Sequence, residues 1–545
     1  MITLKKSDIG GEIISILTKG MYADPKDALR EYVQNSVDAK AKKIEIKIRQ
    51  NNIVVQDNGI GMDFTSMRNA IRLGVSDKNP KNHVGFMGIG IYSSFHICEQ
   101  LTIYSRVKDQ NPNKISFNFL KMREELEQQR DTRFKKDVKD EELIALQKLL
   151  ENNISINNLN EEDFLKIGTR VELVGLEQDF FKSLSKFDEV GSYLENVLPL
   201  PFDSKFKWGK EIEKKIKDEC KKNKLDFDIV NVKLQVNEEV KNLYKPFDDE
   251  DFEPESLAPK FFELKNGNEF FGIAWGCLNK GNTAIKNDVV RGFLIKKQGF
   301  TIGNRDDLLL EYFKRPIYFN RSVGEVIVLH SKLLPNASRS TFEPSPLRVS
   351  FYECLSDFAE AYNAYGTKHQ EETKANKELD KAIDFYKKTN AQLNFFTGDS
   401  EALLIRLFKL KEISKDLDRR FNAGRFESIN RTEDYKKVTQ SFIELATQIR
   451  SFIEIKKRKK SVKAKTDEDI AKENLSLPPK SDTIQEEEFK NLLEIIKSLG
   501  IEINNDLESI FQLLDEQFIQ PSKSKQDYLD TLRKLKQDID ELLED

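Results

Sequence analysis

Apolar residues recur along this chain with two periods. Ile13, Ile14, Ile16 and Leu17 mark an early apolar helix after a short strand, Ile2 to Leu4. Leu29, Val33 and Val37 then recur at helical spacing, and Glu31, Asn35 and Asp38 project from one face of the same helix at i, i+4 and i+7. Strand-like runs follow at Ile53 to Gln56, Leu101 to Arg106, Lys114 to Phe119 and Arg170 to Val174. Further strands are expected near Phe227 to Val236, Glu269 to Cys277 and Val289 to Lys297. Beyond Pro346 the pattern turns helical, with helices expected at Val349 to Tyr365, Glu371 to Asn394, Ser400 to Phe421 and Thr432 to Ile455. The fold class that results is α/β: an N-terminal sandwich of helices on a mixed, largely antiparallel sheet, an α+β middle domain, and an all-helical C-terminal region.

The polar row on an otherwise packing helix calls for a ligand. An Asn side-chain oxygen can join phosphates and waters around magnesium, so Asn35 is the expected metal contact. Glu31, one turn earlier, can orient or deprotonate the water that attacks a γ-phosphate. The Ile53 to Gln56 strand runs into Asp57-Asn58-Gly59-Ile60-Gly61-Met62, where a carboxylate at a strand end can accept from an exocyclic amine and glycines admit a flat base. Gly85, Gly88 and Gly90 precede an apolar run that reads as a helix start, placing a triphosphate over Gly88, Ile89, Gly90 and Ile91. Each piece alone suits a blander role: a solvated helix face, a plain turn, a tight connection. Their order and spacing together favour a nucleotide pocket.

These three pieces resemble the GHKL ATPases, the superfamily of gyrase, the heat-shock chaperones, sensor histidine kinases and mismatch-repair ATPases. GFMGIGIYSSF and GGEIISILTKGMYADPKDALREYVQNSVDA are most similar to the ninety-kilodalton heat-shock chaperone family, over roughly residues 8 to 105. The resemblance implies ATP and magnesium as ligands. It also implies that Gly168-Thr169 is the last nucleotide motif, with Thr169 completing the pocket. Leu334 to Phe342 resembles the middle-domain loop that reaches the γ-phosphate, which makes Arg339 the expected catalytic cation; Arg291 and Arg321 are weaker candidates. Such an arginine accelerates phosphoryl transfer by about 10³ or more. The family dimerises through its C-terminal domain, so a homodimer is implied, although the last 200 or so residues depart from that domain.

The expected organisation is a nucleotide domain over 1–197, with a lid at 64–84 and a charged insert at 107–167. Within the insert, Glu141 to Leu150 reads as helix and Asn152 to Asn160 as loop. A middle domain over 198–346, a helical region over 347–457, a charged linker at 458–483 and a helical end at 484–545 complete it. Lys78 in the lid is either a phosphate contact or an exposed loop lysine. Tyr528, Leu532, Leu535, Ile539 and Leu542 form a short a/d seam, for packing or for self-association. Lys456 to Lys465 is strongly basic; it is either a solvated link or a binder of nucleic acid or acidic lipid.

At 545 residues the chain has room for three or four cores, and a formal charge of −4 gives no general case for a nucleic-acid binder. Its four cysteines are far apart and lack any C-x-x-C pair, which favours buried thiols over zinc or disulfides. The N-terminus lacks a signal-like apolar run and no stretch is long enough to span a membrane, so a cytoplasmic chain without a membrane partner is expected. The leading functional expectation is an ATP-dependent conformational clamp acting on a client or partner protein, with a specialised bacterial role, such as defence, left open. The alternative is a nucleic-acid-acting relative of the mismatch-repair or chromatin-compacting type. A histidine kinase is disfavoured because no His is followed by Asp or Glu. A scaffold that holds ATP without turnover would have no need of Glu31.

Overall fold

The structure is a computed structural model that describes residues 8–471 apart from 23, 76, 77, 79–84, 86, 87, 136–143, 161, 163, 165, 226, 307 and 394–399. The chain divides into two compact units, Met1–Gly366 and Thr367–Asp545.

In the first unit, eight strands form one sheet: β1 (Lys43–Arg49), β2 (Asn52–Asp57), β3 (Cys98–Arg106), β4 (Asn113–Asn118), β5 (Ile154–Asn158), β6 (Gly168–Leu176), β7 (Asn231–Val236) and β8 (Glu239–Leu243). Their order is β5-β4-β3-β6-β2-β1-β7-β8, and every neighbouring pair is antiparallel except β1 with β7. Alternation sets the covered face: Ile44, Ile46 and Ile48 of β1 and Ile53 and Val55 of β2 are buried between more exposed neighbours. Against that face pack the helices α1 (Ile13–Met21) and α2 (Lys26–Asp38), through Ile14, Leu29, Tyr32, Val33 and Val37. Each such side chain contributes about 1.5–3 kcal/mol by leaving water, and this fixes which face of α2 is left for Glu31 and Asn35.

A second sheet holds β9 (Lys260–Asn266), β10 (Glu269–Leu278), β11 (Gly292–Lys297), β12 (Phe300–Thr301) and β13 (Ser322–Val328), in the order β12-β11-β13-β10-β9. The central β13 is buried along its whole length. Val326 and Val328 meet Phe351, Leu355 and Phe358 of the helix Pro346–Leu393, while Val323 and Ile327 face Ile212 and Ile216 of the helix Gly209–Lys222. A strand covered on both faces reads as a continuous apolar run, which is why its period is faint in the sequence.

In the second unit, Ala375, Leu379 and Ala382 pack with Leu403, Leu407 and Leu410 of the helix Ser400–Asn422 and with Val438, Phe442, Leu445 and Ile449 of Thr432–Ala471. These three- and four-residue steps make the bundle seams.

Four expectations require correction. Asn231–Val236, expected in a second domain, pairs parallel with β1 and extends the first sheet; alternation signals a strand but not its partner. Ile154–Asn158 is a strand on β4 rather than loop, because a polar edge strand needs only one neighbour. The two helices expected between Val349 and Asn394 are one, Pro346–Leu393; no proline lies between them, and Gly366, packed against the Tyr318 ring, weakens the helix without ending it. Thr432–Ala471 runs through the basic stretch and into the start of the expected linker. The strand at Ile2 to Leu4, most of the lid's later half and everything expected beyond residue 471, including the a/d seam, lie outside the described residues.

Candidate functional site

A cavity of about 380 Å³ opens between α2, the start of β6 and a loop from the second sheet's layer. Its floor is built on Asp57 at the end of β2. Asp57 Oδ1 accepts from the amides of Gly59 at 2.8 Å and Thr169 at 3.1 Å, and Oδ2 accepts from Ser36 Oγ of α2 at 2.8 Å. Burial pushes the Asp57 carboxyl up, and those three donors pull it back. Oδ1 is thus saturated by backbone, while Oδ2 keeps a lone pair for an amine in the cavity.

Glycine is obligatory at two neighbouring points. Gly61 has φ +76° and a Cβ there would lie 2.1 Å from the Arg106 carbonyl oxygen. Gly168, at φ +119°, would bring one to 2.4 Å from the Asp57 carbonyl oxygen. Ser105 ties these pieces together: its Oγ accepts from the Met62 amide at 2.8 Å, donates to the Gly168 carbonyl at 3.1 Å, and lies 2.9 Å from Thr169 Oγ1.

The polar row of α2 forms one wall. Lys78 Nζ donates to Asn35 Oδ1 at 2.9 Å and to Asp38 Oδ2 at 2.7 Å, and the Gly85 amide donates to Asp38 Oδ2 at 3.1 Å. Lys78 is partly buried, neither a free loop lysine nor aimed away from the cavity. Gly88, Gly90 and Ile91 also line it, whereas Gly59 and Ile89 do not. The helix expected after Gly90 is only a 3₁₀ turn, Gly90–Tyr92, continued by further i to i+3 bonds from Phe95 to Tyr92 and Ile97 to Ser94. Tyr92 OH anchors it to the Ile71 carbonyl at 2.6 Å, and β3 begins too soon for a longer helix. A Cβ on Gly90 would sit 2.9 Å from Glu31 Oε2, so glycine keeps this turn close to the acid.

Glu31 and Arg339 meet across the cavity. Arg339 Nε donates to Glu31 Oε1 at 3.3 Å, and Arg30 Nη2 stands 4.0 Å from the same oxygen. Both residues are 8% exposed, and Arg339 Nη1 is buried with no protein partner. The loop that delivers Arg339 is internally braced. Asn336 N donates to the Thr341 carbonyl at 2.9 Å, Arg339 N to the Asn336 carbonyl at 3.0 Å, and Thr341 N to Asn336 Oδ1 at 3.2 Å. Arg339 itself has φ +58°, an uncommon conformation for a residue with a Cβ. Arg291 instead pairs with Asp288, and Arg321 is buried against the carbonyls of Asn279 and Gly281.

The donors fit a nucleotide. An orphaned, buried guanidinium nitrogen points to an anion, and a carboxylate beside two glycine-only positions suits a flat base. For magnesium the fit is partial: among the described residues no cluster of three acidic, His or Cys side chains exists. A single amide oxygen, Asn35 Oδ1, suits an ion held chiefly by phosphates and water.

Residues 22–150 match the family model described as histidine kinase-, DNA gyrase B-, and HSP90-like ATPase. This stretch is a GHKL ATPase domain. Within curated proteins, the chain is 34% identical over 113 residues to HgiDII of Herpetosiphon aurantiacus, whose name assigns it provisionally to the type II restriction enzymes; the match covers 18% of each chain. It is 27% identical over 129 residues to the chaperone protein HtpG of Rickettsia canadensis, covering 18% of this chain and 21% of HtpG. HtpG of Buchnera aphidicola matches at 25% over 138 residues, with 19% and 22% covered. The chain therefore spans only about a fifth of the length of these relatives. In a solved structure, the N-terminal domain of a DNA repair protein, the likeness has a TM-score of 0.39 at 13% identity, over 65% of this chain and 98% of that one. No helix among the described residues is long and apolar enough to cross a membrane.

Several residues that line or brace the cavity were not expected from the sequence. Ser36 lies beside Asn35 but serves Asp57, and Ser105 comes from a strand with no motif. Tyr22 lines the cavity, its phenol pushed up by burial and then by Glu31. The only signal for Tyr22 is its position just ahead of α2.

Proposed function

We propose that this protein is an ATP-driven conformational clamp that uses magnesium and acts on a partner protein. The observation that carries the reading is the meeting of Glu31 and Arg339 in the cavity that also contains Asp57. In this reading Asp57, Gly61 and Thr169 hold the base, Asn35 serves the metal, and Lys78 and the Gly88 to Ile91 turn face the phosphates. Bound magnesium nucleotide supplies the transferable phosphoryl group. Glu31 orients water and accepts its proton, and Arg339 balances the charge that develops on the far side. An anion competes with Glu31 for Arg339, so occupancy of the cavity frees the carboxylate for that task. The same competition makes the second sheet's loop responsive to the ligand, which is the mechanical basis of a clamp. The chaperone name of the HtpG relatives supports a protein client; a homodimer is what the resemblance to the heat-shock chaperones implies.

The test is magnesium-dependent ATP hydrolysis alongside nucleotide binding. Asp57→Asn is expected to abolish binding. Glu31→Ala should bind normally yet lose turnover by about 100-fold or more, and Arg339→Ala should slow it by at least about tenfold. Normal hydrolysis by Glu31→Ala would sink the assignment of the base, and absence of binding by the parent would sink the function.

A further inference from the structure

Three groups from the second sheet's layer converge on the last turn of the helix Phe187–Val197. Lys296 Nζ and Thr301 Oγ1 each donate to the Asn196 carbonyl at 2.7 Å, and Arg305 Nη2 donates to Asn196 Oδ1 at 3.3 Å. Lys296 and the Thr301 hydroxyl thus meet one of the carbonyls left unsatisfied at the helix C-terminus, and Arg305 holds the side chain of the same residue near the negative end of the dipole. Arg305 Nη1 is buried without a partner among the described residues.

This junction has the site on both sides. Toward α2, Tyr193 OH of the same helix donates to Asp27 Oδ1 at 2.7 Å, Asp27 pairs with Arg30 at 3.3 Å, and Arg30 adjoins Glu31. Toward the loop, the segment that carries Thr301 and Arg305 also carries Gly303, whose amide donates to the Arg339 carbonyl at 2.8 Å. Gly303 has φ +67°, and a Cβ there would come within 2.9 Å of the Ser340 carbonyl. Glu31 and Arg339 are thus linked by a path of contacts that runs through the helix between Tyr193 and Asn196.

We propose that Thr301 and Arg305 are positioning residues, which set how far Arg339 reaches into the cavity by clamping the 300–305 segment to the Asn196 end of the helix. Neither touches the cavity. The inference rests on the hydrolytic reading of that cavity, and deepens it by naming what registers one layer against the other.

The test uses the full chain with Thr301→Val and Arg305→Met, which keep most of the side-chain volume, and Thr301→Ser, which keeps the hydroxyl. The first two should lower kcat for ATP by about fivefold to tenfold while nucleotide Kd changes by less than about twofold, and Thr301→Ser should restore kcat. In an Arg339→Ala background Thr301→Val should cost nothing further, because the residue acts through Arg339. Amide exchange at Arg339 and Thr341 should quicken in Thr301→Val. Equal losses in kcat and Kd, or a full additional loss in the Arg339→Ala background, would overturn the proposal. A parent that does not hydrolyse ATP would remove the proposed function; exchange at 339 and 341 would still decide the clamping, and unchanged exchange would overturn it independently.

Discussion

At Arg339 a bulky residue occupies left-handed backbone space, and the hydrogen bonds of Asn336 and Thr341 hold it there. Such conformations cost about 1–3 kcal/mol and persist where surroundings over-determine them. The identity of Arg339 was legible through a short family resemblance, but its partner was not: no local pattern says that an arginine 308 positions away will meet Glu31. Lys297 is a second buried basic residue. It is 3% exposed, it donates to the His330 carbonyl, and burial pushes its ammonium down to about 7. The unfolded lysine titrates near 10.4, so between those values the unfolded state binds the extra proton. Its effect on the folded state therefore eases as pH rises from about 7 toward 10, by roughly 1.4 kcal/mol per unit. Lys297→Met should be more stable than the parent at pH 6, with the difference shrinking toward pH 10, as read by urea unfolding at each pH.

Among the elements, α2 and β2 were readable because each carries two signals at once, an apolar period for packing and a polar set that lines the cavity. Alternation located β3, β4, β6, β10 and β11 but could not tell which strand each would join, hence the misplaced β7. The turn at Gly90 misled for another reason: glycines followed by apolar residues suit a helix start and a 3₁₀ turn alike, and the length before β3 decides. The start of β6 offers a sharp check. Gly168→Ala places a side chain in a backbone region that only glycine enters freely, 2.4 Å from the Asp57 carbonyl. We expect a loss of about 1–3 kcal/mol in stability and nucleotide binding weakened more than that of a surface variant of equal stability. Thermal melts with calorimetric titration would separate the two, and parent-like binding would refute the close fit.

For the whole first unit, a buried carboxylate spans the layers. Glu325 of β13 accepts from Lys245, which follows β8 of the first sheet, at 2.6 Å, and from Trp275 at 3.2 Å; Lys296 stands 3.7 Å away. The two lysines hold the Glu325 carboxyl below its usual range in spite of burial. Glu325→Gln would leave both ammoniums without their counter-charge, at about 3–5 kcal/mol, and denaturant unfolding should show that loss. Adding Lys245→Met should recover part of it; a Glu325→Gln protein as stable as the parent would mean the cluster contributes nothing.

The parallel pairing of β1 with β7 has a consequence in time. On a ribosome adding about 5–20 residues per second, roughly 190 residues separate the two strands, so β1 waits some ten to forty seconds for its neighbour. Throughout that interval Lys43–Arg49 is an unpaired sheet border, open to any other extended chain nearby. Its alternating lysines and arginine, Lys43, Lys47 and Arg49, are the kind of charge that discourages such encounters. The same border would reopen in any fragment ending near residue 197, and there those charges alone would have to guard it.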